Sequence, residues 1–104
     1  MDDVRTYTAT LIADLVLSSA HNLKEKRGPL RALKQRLRNQ DFSVAQVGPA
    51  DLVQRAFLAV AVVSGSAGGA DELLDKAERI IFASEFEVAD LRRQSFTDTF
   101  PSGQ

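Results

Sequence analysis

The stretch YTATLIADLVL, residues 7–17, places apolar side chains mainly at its odd positions, whereas Thr8, Thr10 and Asp14 dilute the even ones. A period of two is typical of a β-strand with one buried face. The stretch QRAFLAVAVVS, residues 54–64, is apolar at successive positions and predicts a strand covered on both faces. We therefore expect something outside this fold to cover the second face, and a second copy of the chain, forming a homodimer through the sheet surface, is the simplest candidate.

An amphipathic helix is predicted between these two strands, ending at about Asn39. Apolar side chains recur there at helical spacing: Leu23, Leu30, Leu33 and Leu37. Proline is comfortable only in a first helical turn, so Pro29 leaves two interpretations. Either the main helix begins near Gly28, or a turn begun at Asn22 is disturbed at Gly28-Pro29. We favour helical structure from Leu23 with a disturbance at that pair.

The remaining elements complete an order of β-α-β-β-α-β. A short strand is predicted over 42–47, a loose glycine-rich connection over 65–69, a second amphipathic helix after it, and a last short strand over 86–91. With right-handed crossovers this order gives a four-stranded antiparallel sheet with two helices on one face. We expect one α+β domain over residues 1–96 and a flexible tail over 97–104.

Composition limits the class of protein. A chain of 104 residues fits one domain, and 44% apolar with 26% charged residues is typical of a globular core. No run of residues approaches the roughly 20 apolar positions that span a bilayer, and the first residues are acidic where a secretory signal is basic. The absence of cysteine excludes disulfides, thiolate catalysis and sulfur-ligated zinc. We expect a small, soluble, cytoplasmic domain.

Charge is unevenly distributed along the chain. Residues 21–40 hold seven lysines and arginines against Glu25 alone, a net charge of +6 within a chain of net charge −1. Such segregation creates a local field that attracts an anionic partner. The candidate phosphate-binding residues are Lys24, Lys26, Arg27, Arg31, Lys34 and Arg38, with Arg55 at the start of the third strand. Alternatively these charges form a solvated helix face or pair within the molecule, with Asp51 as the partner of Arg55.

No constellation of residues predicts catalysis. His21 is the sole histidine and lacks a second imidazole or a cysteine for a metal site. The carboxylates of the second helix, including Asp71 and Asp75, have the spacing of a solvated face, and the connection over 65–69 lacks the lysine of a phosphate-binding loop. We expect a domain that is not an enzyme, with no catalytic residue, no metal and no cofactor.

Three motifs resemble the YlxP-like family of uncharacterised bacterial proteins, domain of unknown function 503. They are NLKEKR at 22–27, VAQVG at 44–48 and DLVQRA at 51–56, and the resemblance covers residues 7–93. It implies a ferredoxin-like α+β fold. It also implies association with RNA or ribosomes, since members are often encoded beside translation and ribosome-maturation factors. The sequence departs from the family pattern at Gly28-Pro29 and Gly68-Gly69.

These observations lead to one functional hypothesis and one alternative. The hypothesis is a non-catalytic domain that binds RNA or a ribosomal particle through its basic first helix. The alternative is a protein-interaction or oligomerisation module whose basic face meets an acidic protein.

Overall fold

The six secondary-structure elements follow the predicted order. In a computed structural model, which describes residues 3–101, the elements are β1 (Val4–Val16), α1 (Leu23–Arg38), β2 (Ser43–Val47), β3 (Arg55–Ser64), α2 (Ala67–Phe82) and β4 (Glu87–Phe100). The strands form one antiparallel sheet in the order β2-β3-β1-β4. This arrangement confirms the predicted ferredoxin-like α+β fold.

The core lies between one face of the sheet and the two helices. Alternate residues of β1 are fully buried from Ala9 to Leu15, and the register places them beside the buried residues of β3 from Ala56 to Val62. The helices cover this face with Leu30, Leu33 and Leu37 of α1 and with Ala70, Leu74, Ala77 and Ile81 of α2. The alternation in β1 and the leucine spacing in α1 therefore point to the same core.

Helix α1 is continuous from Leu23, which agrees with the interpretation we favoured. The side chain of Asn22 caps it by accepting a hydrogen bond of 2.9 Å from the backbone N–H of Glu25. Pro29 lies inside the helix and has no N–H to donate to the carbonyl of Glu25. The departure at Gly28-Pro29 thus removes one hydrogen bond without dividing the helix.

Helix α2 begins earlier than the sequence predicted. The loose connection expected over 65–69 is wrong from Ala67 onward, where the chain is already helical. Ser66 caps the helix, since its hydroxyl accepts a hydrogen bond of 3.0 Å from the N–H of Gly69. One capping serine is therefore enough to start a helix whose first turn contains two glycines.

The two glycines of this turn are expected to respond oppositely to alanine. A Cβ on Gly68 would meet nothing within 4 Å, whereas a Cβ on Gly69 would lie 2.5 Å from the hydroxyl of Ser64 and 2.8 Å from that of Ser66. Gly68→Ala should therefore stabilise the protein by about 0.5–1 kcal/mol. Gly69→Ala should destabilise it by about 1 kcal/mol, because the capping hydroxyl must move. Urea unfolding of both variants checks this, and equal shifts of the two midpoints would contradict it.

Strand β4 is much longer than predicted. It runs to Phe100 and pairs with β1 along its length, from Val16 opposite Glu87 to Val4 opposite Phe100. The predicted flexible tail over 97–104 is therefore wrong for residues 97–100, whereas residues 102–104 lie outside the described part of the chain. Nearly all of β4 after Leu91 is exposed on both faces. This segment is held by backbone pairing and not by burial. Its sequence therefore shows no alternation of apolar and polar residues from which a strand could be predicted.

Among residues 3–101, no helix is both long enough and apolar enough to cross a bilayer.

Candidate nucleic-acid interface

Five of the predicted cations form a line along α1. They are Lys24, Arg27, Arg31, Lys34 and Arg38, hereafter the basic stripe, and their spacing alternates between three and four residues. Side chains at this spacing share one face of a helix. From the first to the last, the helix rises by about 21 Å. The structure therefore gathers these charges into a single extended row.

The basic stripe lies beside β2, at one edge of the sheet. The guanidinium of Arg38 donates a hydrogen bond of 3.4 Å to the carbonyl oxygen of Val44. Lys34 is half-buried and the other four members are exposed. Within residues 3–101, none of the five forms an ion pair with a carboxylate. Their charge is consequently not neutralised by the described part of the molecule.

Lys26 does not belong to this surface, which corrects its prediction as a phosphate contact. It is 2% exposed, and its ammonium donates hydrogen bonds to the carbonyl oxygens of Ala50 at 3.3 Å and Arg55 at 3.1 Å, and to that of Leu52. A buried ammonium needs such partners, since an unpaired charge in the core is costly. Lys26 therefore ties α1 to the segment between β2 and β3.

A signal for the burial of Lys26 is present in the sequence. Its position falls four, seven and eleven residues before Leu30, Leu33 and Leu37, which is the spacing of the apolar face of α1. A lysine in that register covers the core with its aliphatic stem and must bring its ammonium to polar atoms. What the sequence does not supply is the loop that provides the three carbonyls.

Arg55 also lies apart from the basic stripe. It sits on the face of the sheet opposite the helices, where its Nε and Nη2 donate to the carboxylate of Asp14 at 2.8 and 2.6 Å. Its guanidinium lies 4.9 Å from the ring centroid of Phe57. The partner is thus Asp14 and not Asp51, which corrects the predicted pair, and Arg55 is held on the wrong side of the sheet to extend the stripe.

Comparison with known proteins places the chain in a family. A family model described as "protein of unknown function (DUF503)" matches residues 8–93. The chain belongs to this family. The match confirms the resemblance identified from the three motifs, and the family description assigns no function.

Two solved structures are similar to this DUF503 domain, both of them de novo designs. The designed protein Ferredog-Diesel is 13% identical with a TM-score of 0.49, over 84% of this chain and 83% of the design. The designed protein Foldit4 is 9% identical with a TM-score of 0.49, over 88% of this chain and 98% of the design. A comparison with curated protein sequences gives no match.

The Arg55–Asp14 pair of the DUF503 domain predicts a measurable titration. The hydrogen bond from Arg55 holds the pKa of the Asp14 carboxyl below its usual value of 3.8. The pair therefore adds stability above pH 3.8, and this contribution is lost as the pH falls through the lowered pKa of the folded state. In Arg55→Gln, the carboxyl titration followed by ¹³C NMR should move up toward 3.8. An Asp14 midpoint that is the same in both proteins would contradict the assignment.

The acidic face of α2 is occupied by an arginine that sequence reasoning missed. Arg93 of β4 donates to the carboxylate of Asp75 at 2.7 Å and to that of Glu78, and it also reaches the carbonyl oxygen of Asp71 at 3.2 Å. The hydrogen bonds that Arg93 donates to Asp75 and, to a smaller extent, to Glu78 raise the pKa of its guanidinium. The prediction of a merely solvated acidic face is therefore wrong for these carboxylates. Their spacing of four and three residues was the available signal.

The face of the sheet away from the helices is open. In its middle, Thr10 and Ile12 of β1 lie next to Ala61 and Ala59 of β3, and Ile12 is 49% exposed. Val63 is 67% exposed and Phe57 is half-buried. Within residues 3–101 no helix or loop covers this face, so the chain alone buries β3 on one side, and the expected cover by a second copy stays a prediction.

In residues 3–101 no group of three or more histidine, aspartate or glutamate side chains is placed to hold a metal ion. His21 is exposed, and its backbone N–H donates to the carboxylate of Glu25 at 3.2 Å.

Proposed function

We propose that this DUF503 domain binds structured RNA through the basic stripe, as a binding domain without catalysis. The observation that carries the proposal is the single row of five cations along α1, without a carboxylate partner in the described part of the chain. Cations without a carboxylate partner are able to replace the counterions of a polyanion. A ribosomal particle would present such an RNA surface.

The dimensions of the stripe suit a phosphate backbone. Successive members are three or four residues apart, hence about 4.5–6 Å along the helix axis. Phosphates of one strand of a DNA duplex repeat every ~3.4 Å along the axis, so neighbouring members of the stripe are spaced widely enough to reach separate phosphates. Three of its five members are arginines, whose planar guanidinium forks match phosphate oxygens. The row is therefore suited to contact several phosphates of a duplex at once.

The proposed contact reads the backbone and the shape of the helix rather than base identity. Recognition of double-stranded RNA relies on phosphates and 2′-hydroxyls. Base-stacking domains of similar topology use exposed aromatic rings on the central strands of the open sheet face, whereas here Phe57 of β3 lies beneath the guanidinium of Arg55 and the exposed Phe96 lies on the marginal strand β4. We therefore expect little dependence on RNA sequence.

Binding of an RNA duplex at several salt concentrations tests the proposal. Five phosphate contacts predict that log Kd rises with log salt at a slope of about 4–5, which is about 500-fold between 50 and 200 mM. A DNA duplex of the same sequence and polyglutamate serve as competitors. Tighter binding of polyglutamate than of either duplex would favour the alternative, an acidic protein partner, and no saturable binding of RNA at 50 mM salt would refute the proposal.

A further inference from the structure

The outer edge of β4 has no partner in the described part of the chain. The sheet order places β4 at one margin, with β1 as its only neighbour, and the strand is 14 residues long. The opposite margin, β2, has only five residues. A long free edge presents a row of unpaired N–H and C=O groups that can pair with another strand.

Beyond the body of the protein, β1 and β4 continue as a two-stranded ribbon. The pairing of β1 with β3 stops at Tyr7 opposite Ser64, whereas Val4–Thr6 pair only with Asp98–Phe100. At its end Val4 is 52% and Phe100 71% exposed. An isolated two-stranded ribbon is at best marginally stable in water, so a third strand beside it would stabilise it.

The edge of β4 lacks the usual protection against pairing. Exposed edges are commonly protected by lysine, proline or a bulge that twists the edge away. The segment 94–97 is Gln-Ser-Phe-Thr, without a charge or a proline. The register shift between β1 and β4 lies at Asp14/Leu15, away from this segment. The middle of the free edge is therefore open to a strand of another molecule.

We propose that a second copy of this chain adds its β4 antiparallel to the free edge, with the two-fold axis at Ser95. In this register Arg92 of each copy lies opposite Asp98 of the other, and Gln94 lies opposite Phe96. The guanidinium of Arg92 is well placed for this, since its side chain is 84% exposed despite a pair with Asp90 in the same strand. The two sheets become one continuous sheet of eight strands.

Charge selects this register over its neighbours. Side chains that face the same side of a sheet must lie opposite one another, so the axis can shift only in whole-residue steps along the strand. An axis at Gln94 places Asp90 opposite Asp98, which brings like charges together. An axis at Phe96 places Asp98 opposite Gln94 and removes the ion pair. Opposite charges directly across an antiparallel pair are favourable and like charges unfavourable.

The first test reverses each charge and then combines the variants. Arg92→Asp and Asp98→Arg are exposed substitutions, and each places like charges opposite one another twice in the dimer. Each is expected to raise the dissociation constant of the dimer by about 10- to 100-fold, as measured by sedimentation equilibrium. A mixture of the two variants restores opposite charges at both positions, so a heterodimer with nearly wild-type affinity is expected. Circular dichroism checks that each variant is folded.

The second test places one cysteine at the proposed axis. The chain has no cysteine, so Ser95→Cys provides a single thiol that would face its own copy. Mild oxidation is expected to link Ser95→Cys into a disulfide dimer within the non-covalent dimer. Ser43→Cys, on the opposite margin of the sheet, is the matched control and should remain unlinked.

Three results would overturn the proposal. One is a wild-type chain that stays monomeric at a protein concentration of about 1 mM, because even a very weak dimer has a dissociation constant of that order. Another is a dimer whose affinity neither charge reversal changes, which would place the contact on the open sheet face instead. The third is equal cross-linking of Ser95→Cys and Ser43→Cys. None of these measurements uses RNA, so they test the dimer independently of the proposed function.

Discussion

Replacing Arg27, Arg31 and Lys34 together by glutamate is expected to weaken binding to an RNA duplex by about 100-fold or more at moderate salt. The three residues occupy the middle of the basic stripe, and each reversal removes one cation and adds one anion beside the phosphates. The slope of log Kd against log salt should fall by about three, because three ion releases are lost. Fluorescence anisotropy with labelled duplex at several salt concentrations measures both quantities.

A matched control separates the stripe from the total charge of the protein. Arg5, Lys76 and Arg79 are exposed cations on other elements than α1, and replacing all three by glutamate changes the net charge by the same amount. At physiological salt the field of such distant charges is screened within about 8 Å. This control should therefore keep most of the affinity. If both triple variants lost affinity equally, the stripe would not be the binding surface.

Lys26→Met is expected to destabilise the protein by about 3 kcal/mol. Methionine preserves most of the buried stem, but the carbonyl oxygens of Ala50, Leu52 and Arg55 would lose their common donor. Domains of this size are stable by only about 5–15 kcal/mol, so the loss is a large fraction. Urea denaturation measures the free energy of unfolding, and hydrogen exchange should show reduced protection in the segment from 50 to 55.

Lys24→Met is the matched control for this change. Lys24 is exposed and belongs to the basic stripe, so its free energy of unfolding should change by less than about 0.5 kcal/mol. In RNA binding the order should invert, because Lys24→Met removes a phosphate contact, whereas Lys26→Met removes a buried donor. Equal stability of the two variants would show that the three carbonyls do not depend on Lys26.

The fold was predictable in the segments where burial imposes a regular spacing of apolar residues, and it was not predictable in the segments that are exposed. The alternation in residues 7–17 and the leucine spacing of α1 identified the order of elements and the core-facing residues. The end of β4 was missed because residues 92–100 are exposed on both faces and are held by pairing with β1. Sequence periodicity reports burial, so a strand without burial gives no period.

Only part of the candidate site was predictable from the sequence. The stripe follows from helical spacing alone once α1 is known to be continuous. The positions of the Lys26 and Arg55 side chains depend on hydrogen-bond partners that are distant in sequence. These are carbonyls 24 to 29 residues after Lys26 and a carboxylate 41 residues before Arg55. Such long-range partners are set by tertiary packing, and local spacing does not encode them.

The separation of charge across the sheet makes the molecule an electric dipole. Positive charge is gathered along α1 beside β2, whereas the segment from α2 to β4 holds eight carboxylates against four cations. A dipole in the field of a polyanion experiences a torque, so the protein should turn during its approach. It would then arrive with the margin at β2 leading and the margin at β4 trailing, before any specific contact has formed.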